Sequence, residues 1–210
     1  MPLKVCLTYN LRRIATDCMP EDYYVEYDDE ETVNAIARAL ERCGCSVVKV
    51  EADEDAYIRI REEDPDIVFN IAEGLRGESR ESHIPAMLEM LSIPYTGSGP
   101  LTLAVCLDKA LTHRVLSAYG LPSPKFQVFE DGREELDNSL EFPLIVKPIC
   151  EGSSKGVRST SLVKDEESLR KQVLWVISTY KQPAIVEEFL PGREFTIGIL
   201  GNRDPIILPI

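Results

Sequence analysis

The 210-residue sequence has no long apolar run and little positive charge. No stretch of 18 or more apolar residues occurs, so we expect no membrane-spanning helix. Lysine and arginine number 23 against 36 aspartates and glutamates, which gives a net charge of −13. An acidic surface repels nucleic acid and anionic membranes. We therefore expect neither as a partner, although a local cationic pocket stays open.

Signals for metal binding and for secretion are also missing. The chain begins Met1 to Val5 and passes directly into a strand-like run, without the layout of a signal peptide, so we expect a cytoplasmic protein. No paired C-x-x-C clusters occur, so a zinc site is not predicted and free, mostly buried thiols are expected. The six cysteines are Cys6, Cys18, Cys43, Cys45, Cys106 and Cys150.

The composition, 44% hydrophobic and 28% charged, suits a folded globular chain. In residues 1–100, strand and helix patterns alternate. A helix is predicted to begin in the acidic run 28–31 and to end at Gly44, with apolar residues at i, i+3, i+4 and i+7. The predicted strands are 3–9, 46–50, 66–71 and 93–97. This alternation is typical of a doubly wound parallel sheet with helices on both faces.

The pattern changes after about residue 100. One long helix is predicted from Leu101 to Gly120, where prolines follow. Strand patterns then lie close together, which indicates an antiparallel sheet. They are predicted at 125–129, 144–149, 157–161, 184–190, 194–200 and 205–210, with a helix before the last three. We predict an α/β domain at 1–100 and an α+β domain at 101–210. The second domain is expected to be truncated, because the chain ends inside an apolar strand pattern.

Two lysines and a loop suit an anionic ligand. Lys147 ends an otherwise apolar strand, where its charge needs a partner such as phosphate. Lys109 lies in the long helix, where a solvated lysine is the ordinary alternative. The loop 151–157 contains Ser153 and Ser154 between glycines, so its N–H groups and hydroxyls suit phosphate oxygens. A plain turn is the alternative, and the Walker A spacing is absent.

Neighbouring glutamates occupy a predicted strand. Glu187 and Glu188 must point to opposite faces, so one of them faces inward. An inward carboxylate needs a donor, and the exocyclic amine of adenine or a ribose hydroxyl would serve. The alternative is an ion pair with Arg193 or with a lysine.

Five segments share one order and spacing with a known family. They are PYTGSG at 94–99, DK at 108–109, VKP at 146–148, EGSS at 151–154 and VEEFLPGRE at 186–194. Together they resemble the ATP-grasp domain of D-alanine–D-alanine ligases. The resemblance extends from about residue 66 to the end, and more loosely over residues 1–65.

The resemblance implies a role for individual residues. The nucleotide-binding set is Lys109, Lys147, Glu187, Phe189, Leu190 and Glu194, and the catalytic set is Ser153 and Ser154. The lysines would contact phosphates, and the serines would lie in a mobile loop that closes over them. Glu187 and the backbone at Phe189 and Leu190 would read adenine, and Glu194 would bind the ribose. We expect this loop to lack intramolecular partners and to become ordered with nucleotide.

The implied reaction forms a C–N bond. ATP phosphorylates a carboxylate and an amine attacks the acyl phosphate, with Mg²⁺ required. The resemblance implies an amino-acid substrate and a place in cell-wall synthesis, and it leaves a homodimer open. No metal ligand is predicted within the chain, because the family's Mg²⁺ ligands would lie beyond Ile210. We therefore expect the 210 residues alone to be inactive.

Two segments depart from the family pattern. Residues 7–13 contain no glycine or glutamate, and the usual His-Gly is replaced at 70–74 by NIAEG. An acidic or differently shaped amino acid would suit the nearby Arg12, Arg13, Arg76 and Arg80, unless these are simply solvated. Two other hypotheses stay open. One is a non-catalytic nucleotide-binding fragment or sensor, and the other is a binding protein without nucleotide whose lysines and glutamates pair with each other.

Overall fold

The computed structural model of the chain describes residues 1–16 and 19–210. Cys18 lies outside the described residues, and the other five cysteines are free. Cys6 and Cys150 are buried, whereas Cys43 and Cys106 are exposed, so the expectation of mostly buried thiols is wrong for the described part. In those same ranges, no helix has the length and apolarity needed to cross a membrane.

The first part of the chain forms a parallel sheet of three strands in the order β2-β1-β3. Its elements are β1 (Lys4–Tyr9), α1 (Glu30–Arg42), β2 (Ser46–Glu51), α2 (Ala56–Glu63), β3 (Ile67–Asn70) and α3 (His83–Leu91). The strand predicted at 93–97 is reduced to a single bridge between Val68 and Tyr95. The other strands and helices predicted for this part are confirmed.

The alternation of side chains on β1 explains why helices cover both faces of this sheet. Cys6 points to one face, where it packs with residues of α2 and α3. Leu7 points to the other and packs with Val33 and Ala37 of α1. The Asp29 carboxylate caps α1 by accepting from the Thr32 amide at 2.7 Å. The doubly wound arrangement is thus confirmed.

The second part forms an antiparallel sheet of four strands in the order β4-β7-β5-β6. Its elements are α4 (Pro100–Leu107), α5 (Lys109–Ala118), β4 (Phe126–Phe129), β5 (Leu144–Pro148), β6 (Leu162–Val163), α6 (Glu166–Tyr180) and β7 (Ala184–Glu188). Ala184 and Val186 of β7 pack toward α6, whereas Ile185 packs with residues of α4 and α5. The antiparallel sheet is confirmed, and the domain boundary near residue 100 stays a prediction.

The predicted long helix is two helices, separated at Asp108. This residue is extended, with φ −82° and ψ 103°, and its carboxylate accepts from the Leu111 amide at 2.9 Å. An aspartate that caps a new helix in this way ends the preceding one.

The strand predicted at 157–161 is also wrong. A 3₁₀ turn spans Ser159–Ser161, because the Ser161 hydroxyl accepts from the Arg158 amide at 3.0 Å and so competes with strand pairing. The last two predicted strands shrink to a short antiparallel hairpin of β8 (Ile199–Leu200) and β9 (Ile206–Ile207).

A buried group of charges joins the two parts of the chain. We call Glu26, Arg80, Glu151 and Lys155 the Arg80 cluster. The guanidinium of Arg80 donates to both Glu26 oxygens at 3.0 and 2.9 Å, to Glu151 at 3.0 Å and to the Cys150 carbonyl at 2.8 Å. Lys155 lies 2.9 Å from Glu151 and 3.8 Å from Glu26. No side chain of the four is more than 9% exposed. Two cations therefore neutralise two carboxylates in a largely buried position.

Removal of Arg80 is expected to destabilise the fold strongly. In Arg80→Leu, Glu26 and Glu151 share only Lys155, and breaking a buried ion pair costs about 3–5 kcal/mol. Arg76→Leu is the matched control, since its ion pair with Glu54 is exposed and its loss should change stability by less than about 0.5 kcal/mol. Urea unfolding of both variants measures the difference. Equal losses would contradict the structural role of the Arg80 cluster.

Candidate functional site

Lys147, Glu187 and His113 meet on the face of the antiparallel sheet that is covered by α5. In the register of β5 and β7, Lys147 lies opposite Ile185 and Glu187 lies opposite Ile145, so the two charged side chains are diagonal neighbours. Lys147 Nζ lies 2.7 Å from Glu187 Oε2, and His113 Nε2 lies 3.1 Å from Oε1. Glu187 is only 4% exposed. A buried carboxylate is thus held at both oxygens.

Of the two adjacent glutamates, Glu187 is the one that faces inward. Glu188 points to the other side, where it accepts from the Lys125 amide at 3.0 Å and lies 3.6 Å from the Lys125 ammonium. The ion pair with a lysine, which the sequence offered as the alternative to a ligand, is present at Glu187. The ion pair with Lys147 holds the Glu187 carboxylate in position whether or not a ligand binds there.

A second lysine stands beside this pair. Lys109 begins α5, and its ammonium donates to the Glu151 carbonyl. Burial lowers the pKa of Lys109, and the nearby Lys147 lowers it further, while Glu187 opposes both effects. Two neighbouring cations that repel each other favour the arrival of an anion between them. The structure thus brings together Lys109, Lys147 and Glu187, and their roles at a nucleotide stay predictions.

The loop that carries Ser153 and Ser154 is held by the first part of the chain. The Gly152 amide donates to Glu26 at 2.6 Å, and the Gly156 amide donates to Asp22 at 2.9 Å. The expectation of a loop without intramolecular partners is therefore wrong, because carboxylates of residues 22–26 take two of its N–H groups. Ser153 and Ser154 are exposed in the left-handed region, with φ of 46° and 59°. Their hydroxyls face solvent, where a ligand can reach them.

The remaining predicted residues follow β7 and are exposed. The Phe189 amide donates to the Pro143 carbonyl at 3.3 Å, and Phe189 and Leu190 are 38% and 65% exposed. Glu194 is exposed and forms no hydrogen bond or ion pair with the described residues. The roles predicted for these three residues stay predictions.

The four arginines suggested for an acidic substrate are all held by the protein. Arg13 and Arg76 pair with glutamates at 3.0 and 2.7 Å, and Arg12 donates to two backbone carbonyls. Arg80 belongs to the Arg80 cluster. Arg80 is committed to a buried ion pair, whereas the pair of Arg76 is exposed, and the suggestion of an acidic substrate stays a prediction.

Sequence reasoning missed His113 and the acidic anchors of the loop. His113 follows Lys109 by four residues, so both lie on one face of α5, and this spacing was the available signal. Asp22 and Glu26 contact residues more than 120 positions away, with 134 and 126 positions between partners. No local pattern predicts such contacts.

Glu26, Glu73 and Glu81 form an acidic group whose oxygens lie within 4.8 Å of one another. Burial raises the pKa of Glu73 to about 7, and the charges of Glu81 and Glu26 add to this effect. We assign no metal to this group, because Arg80 and Lys155 already neutralise Glu26.

The chain is similar to several known proteins. Residues 115–210 match the family described as D-ala D-ala ligase C-terminus. The chain is 37% identical over 185 residues to an uncharacterized protein, y4sG, of Sinorhizobium fredii, with 84% of this chain and 54% of that protein covered. It is 35% identical over 187 residues to a D-alanine–D-alanine ligase of Carboxydothermus hydrogenoformans, with 85% of this chain and 58% of that protein covered.

Solved structures show the same fold. A D-alanine–D-alanine ligase from Bacillus anthracis complexed with ATP matches 99% of this chain with 70% of its own length, a TM-score of 0.69 and 21% identity. The VanG D-Ala:D-Ser ligase from Enterococcus faecalis matches 99% of this chain with 68% of its own length, a TM-score of 0.70 and 20% identity. At these identities, the likeness establishes the fold alone.

These findings make the chain similar to D-alanine–D-alanine ligases over most of its length. The chain spans 54–58% of the length of the curated relatives described above.

The pKa of Glu73 predicts how stability varies with pH. Between its ordinary value of 4.5 and about 7, Glu73 keeps its proton in the folded state but loses it in the unfolded state. Stability from this group is therefore fully present below pH 4.5 and is lost as the pH rises through about 7.

Glu73→Gln imitates the protonated side chain and should remove this dependence. At about pH 8, the variant should be more stable than the wild type by about 1 kcal/mol, after allowance for the partial exposure of the group. Below pH 4.5, the two should be equally stable. Thermal melts across this range provide the test, with the exposed Glu62→Gln as control. A variant with the wild-type pH profile would refute the assignment.

Proposed function

We propose that this chain belongs to an ATP-dependent carboxylate–amine ligase that acts through an acyl phosphate on an amino acid. The observation that carries the proposal is the grouping of Lys109, Lys147 and Glu187 on one sheet face, next to the Gly/Ser loop at 151–156. Point charges of this kind suit phosphates, and a buried carboxylate suits an amine or hydroxyl donor. The relatives named as D-alanine–D-alanine ligases support the same reaction class.

Each residue has a defined task in this proposal. Lys109 and Lys147 bind the phosphates and offset the charge that develops during transfer. Glu187 accepts a hydrogen bond from the base, and Glu194 binds the ribose. The exposed hydroxyls of Ser153 and Ser154 contact the transferred group, since Glu26 and Asp22 already fix the loop that carries them. ATP supplies the phosphoryl group that activates the carboxylate.

Further parts of the proposal rest on the family alone. They are a requirement for Mg²⁺, an amino-acid substrate, a role in cell-wall synthesis in the cytoplasm, and a homodimer. No described residue is assigned to Mg²⁺, because the acidic group of Glu26, Glu73 and Glu81 is partly neutralised and belongs to the contact between the two parts of the chain. The metal ligands are proposed to come from the portion of the relatives that this chain does not span.

A second candidate is a nucleotide-binding fragment or sensor without catalysis. The observation that favours it is the coverage of the curated relatives, 54–58% of their length. Release of ADP that depends on an added amino acid, measured on a version of the chain restored to full length, separates the two candidates, because only a ligase should show it. We expect the 210 residues alone to show none, because the loss of a single charge-stabilising donor typically lowers kcat by about 10²–10³.

Nucleotide binding is expected to stabilise the folded chain by mass action. At a hundredfold excess of ATP over its Kd, the gain should be about 2.7 kcal/mol. Lys147→Ala and Glu194→Ala should reduce that gain without unfolding the protein. Lys164→Ala, an exposed lysine elsewhere in the same part, is the control and should keep it. Thermal shift with and without ATP measures the effect, and equal shifts in all four proteins would argue against this site.

A further inference from the structure

The imidazole of His113 occupies a defined position behind Glu187. Its Nε2 lies 3.1 Å from Glu187 Oε1, and its Nδ1 lies 2.6 Å from the Ser123 hydroxyl. The ring packs on Phe126 with centroids 5.1 Å apart and planes inclined by 35°. The His113 side chain is only 14% exposed. Contacts at both nitrogens and on one ring face leave the imidazole a single orientation.

Glu187 needs this second anchor because its other contact does not fix the carboxylate plane. Lys147 holds Oε2 at 2.7 Å, but an ammonium on a flexible stem follows a carboxylate as it turns. The χ3 angle of a glutamate has a broad distribution, so a carboxylate with one anchor is free to rotate. A second donor at Oε1 sets the plane and thereby the direction of the remaining lone pairs.

We infer that His113 is a positioning residue that aims Glu187 at the amino group of the nucleotide base, so that base discrimination depends on His113. This inference rests on the proposed nucleotide function. Ser123 holds the ring, the ring holds Oε1, and the free lone pairs of Glu187 accept from an N–H of the base. A base that presents a carbonyl oxygen there is rejected, because two acceptors then face each other.

The position of His113 on α5 links recognition of the base to binding of the phosphates. Lys109 and His113 are four residues apart, so they project from successive turns on one helix face. The single helix α5 therefore positions both Lys109, which contacts the phosphates, and His113, which supports the contact of Glu187 with the base. A shift of α5 moves both contacts together.

The test compares ATP with inosine triphosphate, in which a carbonyl replaces the exocyclic amine. Isothermal titration calorimetry with Mg²⁺ gives the ratio of the two Kd values for the 210-residue chain. In the wild type, ATP should bind about tenfold or more tightly than inosine triphosphate. This is the difference in affinity that one hydrogen bond to a charged group is expected to contribute. His113→Gln keeps a donor of similar reach and should preserve the ratio. His113→Asn is one methylene too short and should reduce the ratio to about twofold or less.

His83→Asn is the matched control, because the chain has two histidines and His83 is exposed on α3. It should retain the wild-type ratio. A folded His113→Asn variant that discriminates as the wild type does would overturn the inference, and so would loss of discrimination in His113→Gln. Wild-type protein that binds both nucleotides equally would overturn the role of Glu187 but not nucleotide binding. Wild-type protein that binds neither would overturn the proposed function, and this inference with it.

Discussion

The contact between Arg80 and its carboxylates determines how the two sheets of this protein meet. The four charged side chains are at most 9% exposed, and removal from water is costly for each of them unless the others are in place. Glu26 and Arg80 come from the first part of the chain, Glu151 and Lys155 from the second. A charge group of this kind tolerates little displacement, because any separation leaves an ion without a partner. It therefore defines the relative position of the two parts more strictly than apolar packing would.

The same residues connect this contact to the candidate site. Glu26 accepts from Arg80 at both of its oxygens, and its Oε1 also accepts from the Gly152 amide, so the serine loop is fixed by the charge group. Glu151 pairs with Arg80 through its side chain, while its carbonyl accepts from Lys109. The loop and the first lysine thus share a support.

The sequence predicted those features whose causes are local. Short apolar runs identified the strands of the parallel sheet and β4, β5 and β7 of the antiparallel sheet, although β6 was missed, and strand spacing separated the parallel from the antiparallel part. The break at Asp108 was missed, because the apolar periodicity continues through it and only the cap at Leu111 reveals a second helix. Lys109, Lys147 and Glu187 were recognisable from motifs. Their support by His113 was not, since the contact spans 74 positions and depends on how α5 lies on the sheet.

Strand β7 contributes to both the hydrophobic core and the candidate site within five residues. Ala184 and Val186 hold α6, while Ile185 and Glu187 face α5, in strict alternation. Insertion or deletion of a single residue inside this strand, between Ile185 and Glu187, would bring these two side chains onto opposite faces and so remove one of them from the face covered by α5. The alternation of side chains between the two faces of the strand, rather than any single side chain, is what this segment has to preserve.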